Sequence, residues 1–255
     1  MRIALTRAVP RSIERCELTH LARQPIDFEV AVAQHSLYEE MLKLMGCIVE
    51  RLPEEPEMPD SVFVEDTAVV LDELAVITRP GAESRRGEVT SAEKALRPYR
   101  RLTKIESPGT LDGGDVLCVG RQLFAGLSRR SNGEGIEQLR YQLEPYGYSV
   151  TSVPFRECLH LKSAVTEVST GVLLLNPHWV DSRNFPGMEI IEVDAEEPYA
   201  ANALLTGGRL LVDAGHHRTL DRLRVHGLNP LTVEAGELAK AEGGLTCGSV
   251  IFEVA

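Results

Sequence analysis

The sequence predicts an α/β fold, a closed ring of five ββαβ units, in a single domain spanning residues 1–255. Three observations predict it: paired β-rich runs, helical patterns between the pairs, and strand-like sequence at both chain ends. Four segments join two β-rich runs through a short turn, as hairpins do. They are VFVEDTAVV-LDEL-AVITR, DVLCVG-RQ-LFAGLS, SAVTEV-STG-VLLLN and ALLTGGRLLVD.

The two chain ends supply the fifth hairpin. The final run, SVIFEVA, has no partner after it, whereas RIALTRAV at the start is strand-like and can pair with it. The hairpins are therefore predicted to begin near Val62, Val116, Ala164, Ala203 and Val250. These starts recur about every 40 to 55 residues, near the upper end of the periods found in repeat architectures.

Helical patterns lie between the hairpins. Four segments carry apolar residues at helical spacing, and several end in Gly or Pro: VAVAQHSLYEEMLKLMG, SAEKALRPYR, EGIEQLRYQLEPYG and HHRTLDRLRVHG. Each is followed by a short β-like stretch, which completes a ββαβ unit. A doubly wound sheet is the alternative, but it would alternate strands and helices without hairpins.

Composition and charge restrict the class of partner. Hydrophobic residues make up 43% of the chain and charged residues 25%, which is ordinary for a globular protein with a substantial core. The net charge of −11 argues against nucleic acid or an anionic membrane, because both require a basic surface. No apolar run approaches the roughly 18 residues of a membrane span. A small-molecule substrate is the expected partner, and the sequence leaves a homodimer open.

The cysteines indicate a reducing compartment. Five are scattered along the chain without a CxxC pair, at Cys16, Cys47, Cys118, Cys158 and Cys247. An odd count without an export signal predicts free thiols and a cytoplasmic location. The sequence also lacks a zinc-binding pattern, a GxGxxG motif and a P-loop, so no metal or organic cofactor is predicted.

Four reactive residues occupy similar places in different units. Asp60, Asp112, His160 and Cys247 each lie two to four residues before the start of a predicted hairpin. Equivalent positions in a ring face the same axial mouth, so these four side chains are expected to converge.

Cys247 and His160 could act together as nucleophile and proton carrier. Cys247 lies in GGLTCGSV, where flanking glycines permit close approach to a thiol. A free cysteine is otherwise more often a small buried apolar residue, and a histidine like His160 a partly buried core residue. The thiol needs an adjacent proton acceptor or donor, so both assignments depend on the two residues being close.

Charged groups near the predicted mouth could bind a substrate that carries both signs of charge. Alternation in VFVEDTAVV places Glu65 and Asp66 on opposite faces of a strand, with one of them buried. A buried carboxylate requires a cation or strong donors, and either residue could be a guanidinium receptor or a member of a structural ion pair. The pairs Arg85-Arg86 and Arg129-Arg130 could clamp a carboxylate or could lie on the surface.

These motifs together resemble the dimethylarginine dimethylaminohydrolases, guanidino-modifying enzymes of the pentein superfamily. The resemblance covers nearly the whole chain and is carried by RAVP, DSVFVEDTAVV, ITRPGAESRRGEV, TLDGGDVL, FAGLSRRSN, LHLKSAV and LLTCGSV, in this order. It implies a five-unit ββαβ propeller. It also implies cleavage of asymmetric dimethylarginine and monomethylarginine to citrulline and a methylamine, through a covalent thiouronium-type adduct on the cysteine.

The resemblance assigns a role to each candidate residue. It implies that Cys247 is the nucleophile, His160 the general acid and base, and Asp112 the carboxylate partner of His160. Glu65 and Asp66 would lie near the guanidinium, with Asp66 in direct contact. Arg85 and Arg130 would bind the substrate carboxylate, and Leu18 and Asp60 would lie by the α-amino group.

One position departs from a sister family. Arginine deiminases and amidinotransferases resemble this chain but carry a carboxylate two residues after the histidine, where Lys162 stands here in HLKS. Fewer carboxylates around a guanidinium favour N-methylated substrates, which have fewer N–H donors.

Three alternatives remain at this point. One is another pentein enzyme, hydrolysing plain arginine or a related guanidine, and a second is a non-catalytic pentein that binds a partner. The third, a serine hydrolase, is disfavoured because the sequence lacks a GxSxG motif.

Overall fold

The structure, a computed structural model, describes residues 1–254 and contains five three-stranded sheets arranged as repeated units. In each sheet two antiparallel strands form a hairpin, and the third strand runs parallel to the middle strand. The first sheet joins both ends of the described chain and consists of β15 (Val250–Glu253), β1 (Arg2–Arg7) and β2 (Cys47–Leu52).

The other four sheets follow in chain order. They are β3 (Ala68–Val70), β4 (Leu74–Ile77) and β5 (Arg101–Lys104); β6 (Val116–Val119), β7 (Gln122–Leu127) and β8 (Ser149–Pro154); β9 (Val165–Ser169), β10 (Val172–Leu175) and β11 (Glu189–Glu192); and β12 (Leu204–Thr206), β13 (Arg209–Asp213) and β14 (Leu231–Val233). The predicted five-unit α/β architecture is confirmed, including the hairpin between the two chain ends.

Helices connect the hairpin to the third strand in four of the units. They are α1 (Phe28–Leu44), α2 (Val89–Leu96), α3 (Gly133–Leu143) and α5 (His217–Val225), and they match the four helical patterns of the sequence. In the unit of β9, β10 and β11, the described connection has a 3-10 turn over Ser182–Asn184 in place of a longer helix. Pro177 and Pro186 flank this turn and disfavour a continuous helix there.

Helix α1 shows how the sequence sets an element. The Asp27 carboxylate caps its start by accepting the N–H of Val30 at 3.1 Å. Ala31, Tyr38 and Leu42 form part of a buried stripe that packs against the sheet. The helix ends before Gly46, whose φ of +91° is left-handed and suits glycine.

A short helical turn precedes the first strand of every unit. These turns span Val64–Thr67, Gly113–Asp115, Leu161–Ala164 (α4), Pro198–Ala201 and Thr246–Gly248. Contacts join four neighbouring pairs of these turns, and Asn202, directly after the turn Pro198–Ala201, hydrogen-bonds with Thr246 of the last turn. The turns therefore surround one mouth. The short helix α6 (Gly236–Ala239) lies upstream of the last of them.

The prediction of a strand that begins near Val62 is wrong over the first part of that segment. The backbone forms a 3-10 turn over Val64–Thr67, closed by a hydrogen bond from the Thr67 hydroxyl to the Val64 carbonyl at 2.7 Å, and β3 begins only at Ala68. Glu65 and Asp66 are consequently both buried in a turn rather than alternating across a strand.

The hydrophobic core lies between adjacent units. One cluster packs Leu74 and Val76 of β4 against Leu123 of β7 and Ile136 of α3. A cavity of about 310 Å³ extends between the first strands of the units and reaches Glu65 and Lys162. Among residues 1–254, no helix is both long and apolar enough to cross a membrane.

Candidate active site

Cys247 lies on the turn Thr246–Gly248, one of the five turns around the mouth. It is buried, and its Sγ accepts the N–H of Gly244 at 3.3 Å. The preceding glycines are required by close packing: a Cβ on Gly244 would lie 2.3 Å from the Asn202 side chain, and one on Gly243 would lie 2.2 Å from the Phe63 ring. The glycines therefore permit tight packing of the segment that leads to the thiol.

His160 and Asp112 form a buried pair. His160 Nε2 lies 3.0 Å from Asp112 Oδ2. The other Asp112 oxygen accepts the N–H of Gly81 at 2.9 Å, and the Asp112 N–H donates to the Ser131 hydroxyl at 3.0 Å. A carboxylate held in this way orients an imidazole and favours its charged form. The structure thus brings together the predicted acid/base residue and its predicted partner.

Asp66 lies by the other ring nitrogen of His160, Nδ1. One Asp66 oxygen lies 3.7 Å from His160 Nδ1 and accepts the N–H of Gly114 at 2.9 Å, and the second accepts from Arg85 Nη1 at 2.6 Å. A Cβ on Gly114 would lie 2.7 Å from both the Asp66 carboxylate and the His160 ring. This close approach explains a glycine of the LDGGD motif.

The carboxylates and cations of the site shift one another's pKa values. Burial alone lowers the pKa of His160, but the carboxylates of Asp66 and Asp112 outweigh it and raise that pKa to about 9. Burial alone raises the pKa of Asp66, but the charges of His160 and Arg85 hold it well below its usual range. At neutral pH the site therefore holds an imidazolium beside an ionised carboxylate.

The Cys247 thiol is neutral in this resting site. Burial is the largest cause that raises its pKa to about 12, and the carboxylates of Glu65 and Asp66 add to it. The Gly244 N–H and the charge of Lys162 act in the opposite direction but are weaker. A cation placed against the two carboxylates would therefore favour the thiolate.

Glu65 bridges three of the turns. Its Oε1 accepts from Lys162 Nζ at 2.6 Å, and its Oε2 accepts from the Thr246 hydroxyl at 2.8 Å. Burial raises the pKa of Glu65, although Lys162 opposes this. Lys162, which the sequence marked as a departure from a carboxylate position, thus neutralises the carboxylate of Glu65.

Arg85 is fully buried among acceptors of the protein. Its Nε and Nη2 donate to the Glu88 carboxylate, Nη1 donates to Asp66, and Nη2 also reaches the carbonyls of Asp60 and Phe63. All three guanidinium nitrogens are therefore engaged within the chain. The predicted contact between Arg85 and a substrate carboxylate stays a prediction, and the contacts present assign Arg85 to holding Asp66.

Arg130 has capacity left for a ligand. Its Nη1 is buried without a hydrogen-bond partner among the described residues and lies 3.8 Å from Asp112 Oδ2. An unpartnered buried guanidinium nitrogen favours a bound acceptor, because leaving such a group unpaired is costly. This geometry suits the predicted carboxylate contact.

Asp60 and Leu18 lie on the side of the mouth formed by residues 16–21. The Asp60 carboxylate is buried and accepts the N–H of Glu17 at 3.1 Å. Burial raises the pKa of Asp60, with Arg85 opposing. Leu18 is half-buried and packs against the apolar cluster that contains Cys247. Glu17 thus brings Asp60 and Leu18 close to each other, and their contacts to an α-amino group stay a prediction.

One supporting residue, Asp115, was not assigned a role from the sequence. The buried Asp115 carboxylate accepts the N–H of Leu161 at 2.9 Å and the hydroxyls of Ser131 and Ser128 at 2.6 and 2.7 Å. It thereby ties the turn after Asp112 to the helix that begins after His160. The LDGGD motif was the available signal, but the direction of this side chain depends on the backbone of the turn.

Asp66, Asp112 and His160 offer three potential metal-ligand atoms within 4.8 Å of one another. Imidazole binds a metal in its neutral form, whereas the raised pKa of His160 keeps it protonated at neutral pH. Arg85 and Arg130 add positive charge beside the same carboxylates. The cluster is therefore better suited to proton transfer than to metal binding, and the expectation of no metal stays a prediction.

The remaining cysteines lie outside the turn that carries Cys247. Cys16, Cys47 and Cys158 are buried and Cys118 is half-buried, all as free thiols. Cys158 Sγ donates to the His160 carbonyl at 3.4 Å, so it supports the turn that carries the histidine.

The fold and site together define a five-unit α/β propeller with a Cys, His and carboxylate cluster at its mouth. No protein-family model matches the chain. The N(G),N(G)-dimethylarginine dimethylaminohydrolase of Pseudomonas aeruginosa is 36% identical over 236 residues, covering 92% of each protein. The enzyme of the same name from Streptomyces coelicolor is 40% identical over 235 residues, covering 91% of this chain and 90% of the relative.

A solved structure agrees with these relatives. The Pseudomonas aeruginosa enzyme, as a cysteine-to-serine mutant complexed with citrulline, superimposes with a TM-score of 0.93 at 35% identity and covers 98% of each chain. The chain belongs to the dimethylarginine dimethylaminohydrolase family.

Proposed function

We propose that this chain hydrolyses the guanidino C–N bond of N-omega-dimethylated arginine to give citrulline and dimethylamine. Two relatives at 36% and 40% identity are named for this hydrolysis, and a related structure contains citrulline. The observation that carries the proposal for this site is the shared mouth: the turn of Cys247 contacts the turn of Asp66, and Asp66 contacts His160. Monomethylarginine is proposed as a second substrate.

The substrate's charges match those of the site. The guanidinium would lie against the Asp66 carboxylate, which is ionised and buried. The α-carboxylate would accept from the unpartnered Nη1 of Arg130, and the α-amino group would lie by Asp60 and Leu18. Arg85 would hold Asp66 in place through its 2.6 Å contact.

Binding activates the nucleophile. The Cys247 pKa of about 12 keeps the thiol protonated before substrate arrives. A guanidinium against Asp66 offsets part of the negative charge that raises this pKa, so the thiol releases its proton to solvent water and the thiolate attacks the central guanidinium carbon. Holding that carbon beside the sulfur replaces an encounter in solution with a reaction inside one complex.

His160 then carries protons in both halves of the reaction. In the first half its imidazolium donates a proton to the nitrogen of the departing dimethylamine, and a thiouronium-type adduct remains on Cys247. In the second half neutral His160 takes a proton from water, which attacks the same carbon. The C–S bond then breaks, the second proton of that water passes to the Cys247 sulfur, and citrulline is released. Asp112 keeps the imidazole oriented through both halves by its 3.0 Å contact.

The pairing of Glu65 with Lys162 favours methylated substrates. The Glu65 carboxylate is paired with the Lys162 ammonium and also accepts from the Thr246 hydroxyl. We therefore assign the guanidinium to Asp66, which stays ionised although it accepts from Arg85 and the Gly114 N–H. Dimethylation removes N–H donors from one guanidinium nitrogen, so a site that offers the guanidinium one carboxylate loses little by accepting it.

Citrulline release tests the proposal. The purified chain is incubated with asymmetric dimethylarginine and, separately, with arginine, and Cys247→Ser serves as the control because it is nearly isosteric. We expect citrulline from dimethylarginine with the parent protein, a lower kcat/KM for arginine, and less than a few per cent of the activity in the variant. Equal or greater kcat/KM for arginine would overturn the substrate assignment, and an active variant would overturn the role of Cys247.

A further inference from the structure

Residues 17–27, here named the lid segment, connect the 3-10 turn Ile13–Arg15 to helix α1 without forming a helix or strand. Most of the lid segment is exposed, but Leu18 packs against the apolar cluster that contains Cys247. The Glu17 N–H donates to the Asp60 carboxylate at 3.1 Å. The lid segment therefore forms one wall of the candidate active site, although it has little regular structure of its own.

The Glu242 carboxylate binds the backbone of this segment. It accepts the N–H groups of three successive residues, Thr19 at 3.1 Å, His20 at 2.5 Å and Leu21 at 2.6 Å. Successive N–H groups that point to one place form a concave site for an anion. A negatively charged side chain in that place makes charge-assisted hydrogen bonds, which are stronger than neutral ones.

The backbone of Glu242 is unusual as well. Its φ is +59°, in the left-handed region that residues with a Cβ rarely adopt. Glycine takes this conformation at less cost. A strained backbone persists where surrounding contacts determine it. Here Glu242 lies in the turn that ends α6, where the Gly243 N–H donates to the Leu238 carbonyl at 3.1 Å, and its side chain makes the three hydrogen bonds to the lid segment.

Two neighbours of Glu242 contact the lid segment nearer its end. Lys240 Nζ donates to the Pro25 carbonyl at 3.1 Å, and the Glu237 carboxylate accepts the N–H of Asp27 at 2.9 Å. All three side chains belong to the segment that runs from α6 to the turn of Cys247. One stretch of chain thus holds both the lid segment and the nucleophile.

We propose that Glu242 is a positioning residue that holds the lid segment closed beside Cys247, with Leu18 against the site. Because the lid segment depends on side-chain contacts rather than a strand or helix, losing these three bonds allows it to open. The consequence for substrate binding rests on the proposed function, whereas the consequence for the lid segment does not.

The first measurement follows the lid segment directly. Trypsin can cut after Arg23, which is exposed within the segment. We expect cleavage there to be at least about tenfold faster in Glu242→Gly than in the parent, and intermediate in Glu242→Gln, whose amide oxygen still accepts hydrogen bonds. Glu234→Gln, the same charge change at an exposed position on the same approach to Cys247, should match the parent.

Thermal unfolding separates this role from a general structural one. Glycine relieves the left-handed backbone, so Glu242→Gly should keep or raise Tm while the lid segment opens. A residue needed only for the fold would lower Tm instead. An unchanged cleavage rate at Arg23 in both Glu242 variants would overturn the proposal, as would faster cleavage explained by a lower Tm.

Kinetics with dimethylarginine complete the test. The lid segment contacts the amino-acid end of the substrate, remote from the reacting carbon, so Glu242→Gly should raise KM by about tenfold with a smaller change in kcat. Glu242→Gln should recover part of the loss, and a KM equal to that of the parent in both variants would contradict the proposal. If the parent and Glu234→Gln release no citrulline, the proposed function fails, and the cleavage rates still decide the role of Glu242.

Discussion

The protonation states of individual side chains determine what the resting site can do. His160 is charged at neutral pH because Asp66 and Asp112 flank it, while Cys247 is neutral because it is buried near carboxylates. The site thus begins with a proton donor ready for the leaving amine and a nucleophile that waits for a cation. In the proposed mechanism, substrate charge, rather than a permanent ion pair between the two residues, controls when the thiolate forms.

The charge on His160 should make the free energy of unfolding depend on pH. Its pKa rises from 6.5 to about 9 on folding, so its contribution is fully present below about pH 6.5 and is lost as pH rises through about 9. This shift corresponds to roughly 3 kcal/mol. We expect the free energy of unfolding to fall between pH 7 and 10 more in the parent than in His160→Asn, measured by urea denaturation. Parallel pH profiles would contradict the charged state of His160.

Arg130 and Arg85 should respond differently to substitution. Losing a charge-assisted contact costs about 1.5–3 kcal/mol, so Arg130→Ala should lower kcat/KM for dimethylarginine by about tenfold to a hundredfold. A simple methylguanidine, which has no carboxylate, should react equally with parent and variant. If Arg130→Ala leaves kcat/KM for dimethylarginine unchanged, Arg130 does not bind the substrate carboxylate.

Arg85 provides the contrast. Removing it leaves Asp66 and Glu88 buried without their cation, and breaking a buried pair costs about 3–5 kcal/mol. Arg85→Ala should therefore lower the free energy of unfolding, whereas Arg130→Ala should change it little. A stable, folded Arg85→Ala variant with only a raised KM would instead place Arg85 on the substrate.

At the scale of elements, the five short turns explain how distant residues form one site. Each turn precedes the first strand of its unit, so its side chains point to the mouth while the strands pack into the ring. Asp66, Asp112, His160 and Cys247 come from four of these turns or their first flanking residues. Hydrogen bonds between turns then fix their relative positions.

The Glu65–Lys162 pair tests this view of the turns. It links the turn Val64–Thr67 to helix α4 at 2.6 Å. Lys162→Met should destabilise the protein by about 3–5 kcal/mol because it leaves Glu65 buried and uncompensated. Adding Glu65→Gln should recover much of that loss. Urea denaturation of both single variants and the double variant measures the coupling, and additive effects would show that the pair does not link the turns.

The sequence predicted the hairpins but not every strand and turn. Short turns with paired β-rich runs predicted the hairpins, because period-two alternation is local information. The same pattern gave the wrong structure at Glu65 and Asp66, where the Thr67 hydroxyl bonds to the Val64 carbonyl and closes a turn. Strand β11 was not predicted either, because a connection containing Pro177 and Pro186 showed no helical pattern to mark it.

The sequence predicted which residues form the site but not which side chains contact one another. The positions of Cys247, His160 and Asp112 before three of the five hairpins predicted their convergence, and the structure forms the His160–Asp112 pair. The roles of Asp115 and Glu88 depend on which way buried side chains point, and that follows only from tertiary packing. For the same reason the sequence could not show that protein acceptors already engage Arg85.

For the whole molecule, the ring closes where the two ends of the described chain meet. Strand β1 pairs with β15 from Arg2 opposite Glu253 to Leu5 opposite Val250, and the Val254 N–H donates to the Met1 carbonyl at 2.7 Å. Five equivalent units need no particular starting point in such a ring. The order of units in space, rather than along the chain, then determines the site.

A circular permutant tests ring closure. The present ends are joined by a short glycine linker, and new ends are opened at the exposed Thr170 in the turn between β9 and β10. We expect one cooperative unfolding transition and retained hydrolysis of dimethylarginine, because all five sheets can still form. The control is the protein with its original chain order and the same glycine linker appended to one end. Loss of folding in the permutant alone would contradict the equivalence of the units.

The central claim, a covalent intermediate on Cys247, is tested most directly by trapping it. The protein is mixed with dimethylarginine, quenched in acid during turnover and digested, and the peptide that contains Cys247 is analysed by mass spectrometry. We expect a mass increase on Cys247 equal to the substrate less dimethylamine in the parent protein. It should be absent in Cys247→Ser, and absent in His160→Gly because that variant cannot protonate the leaving amine. Turnover to citrulline with the increase on another residue, or with Cys247→Ser fully active, would contradict the claim.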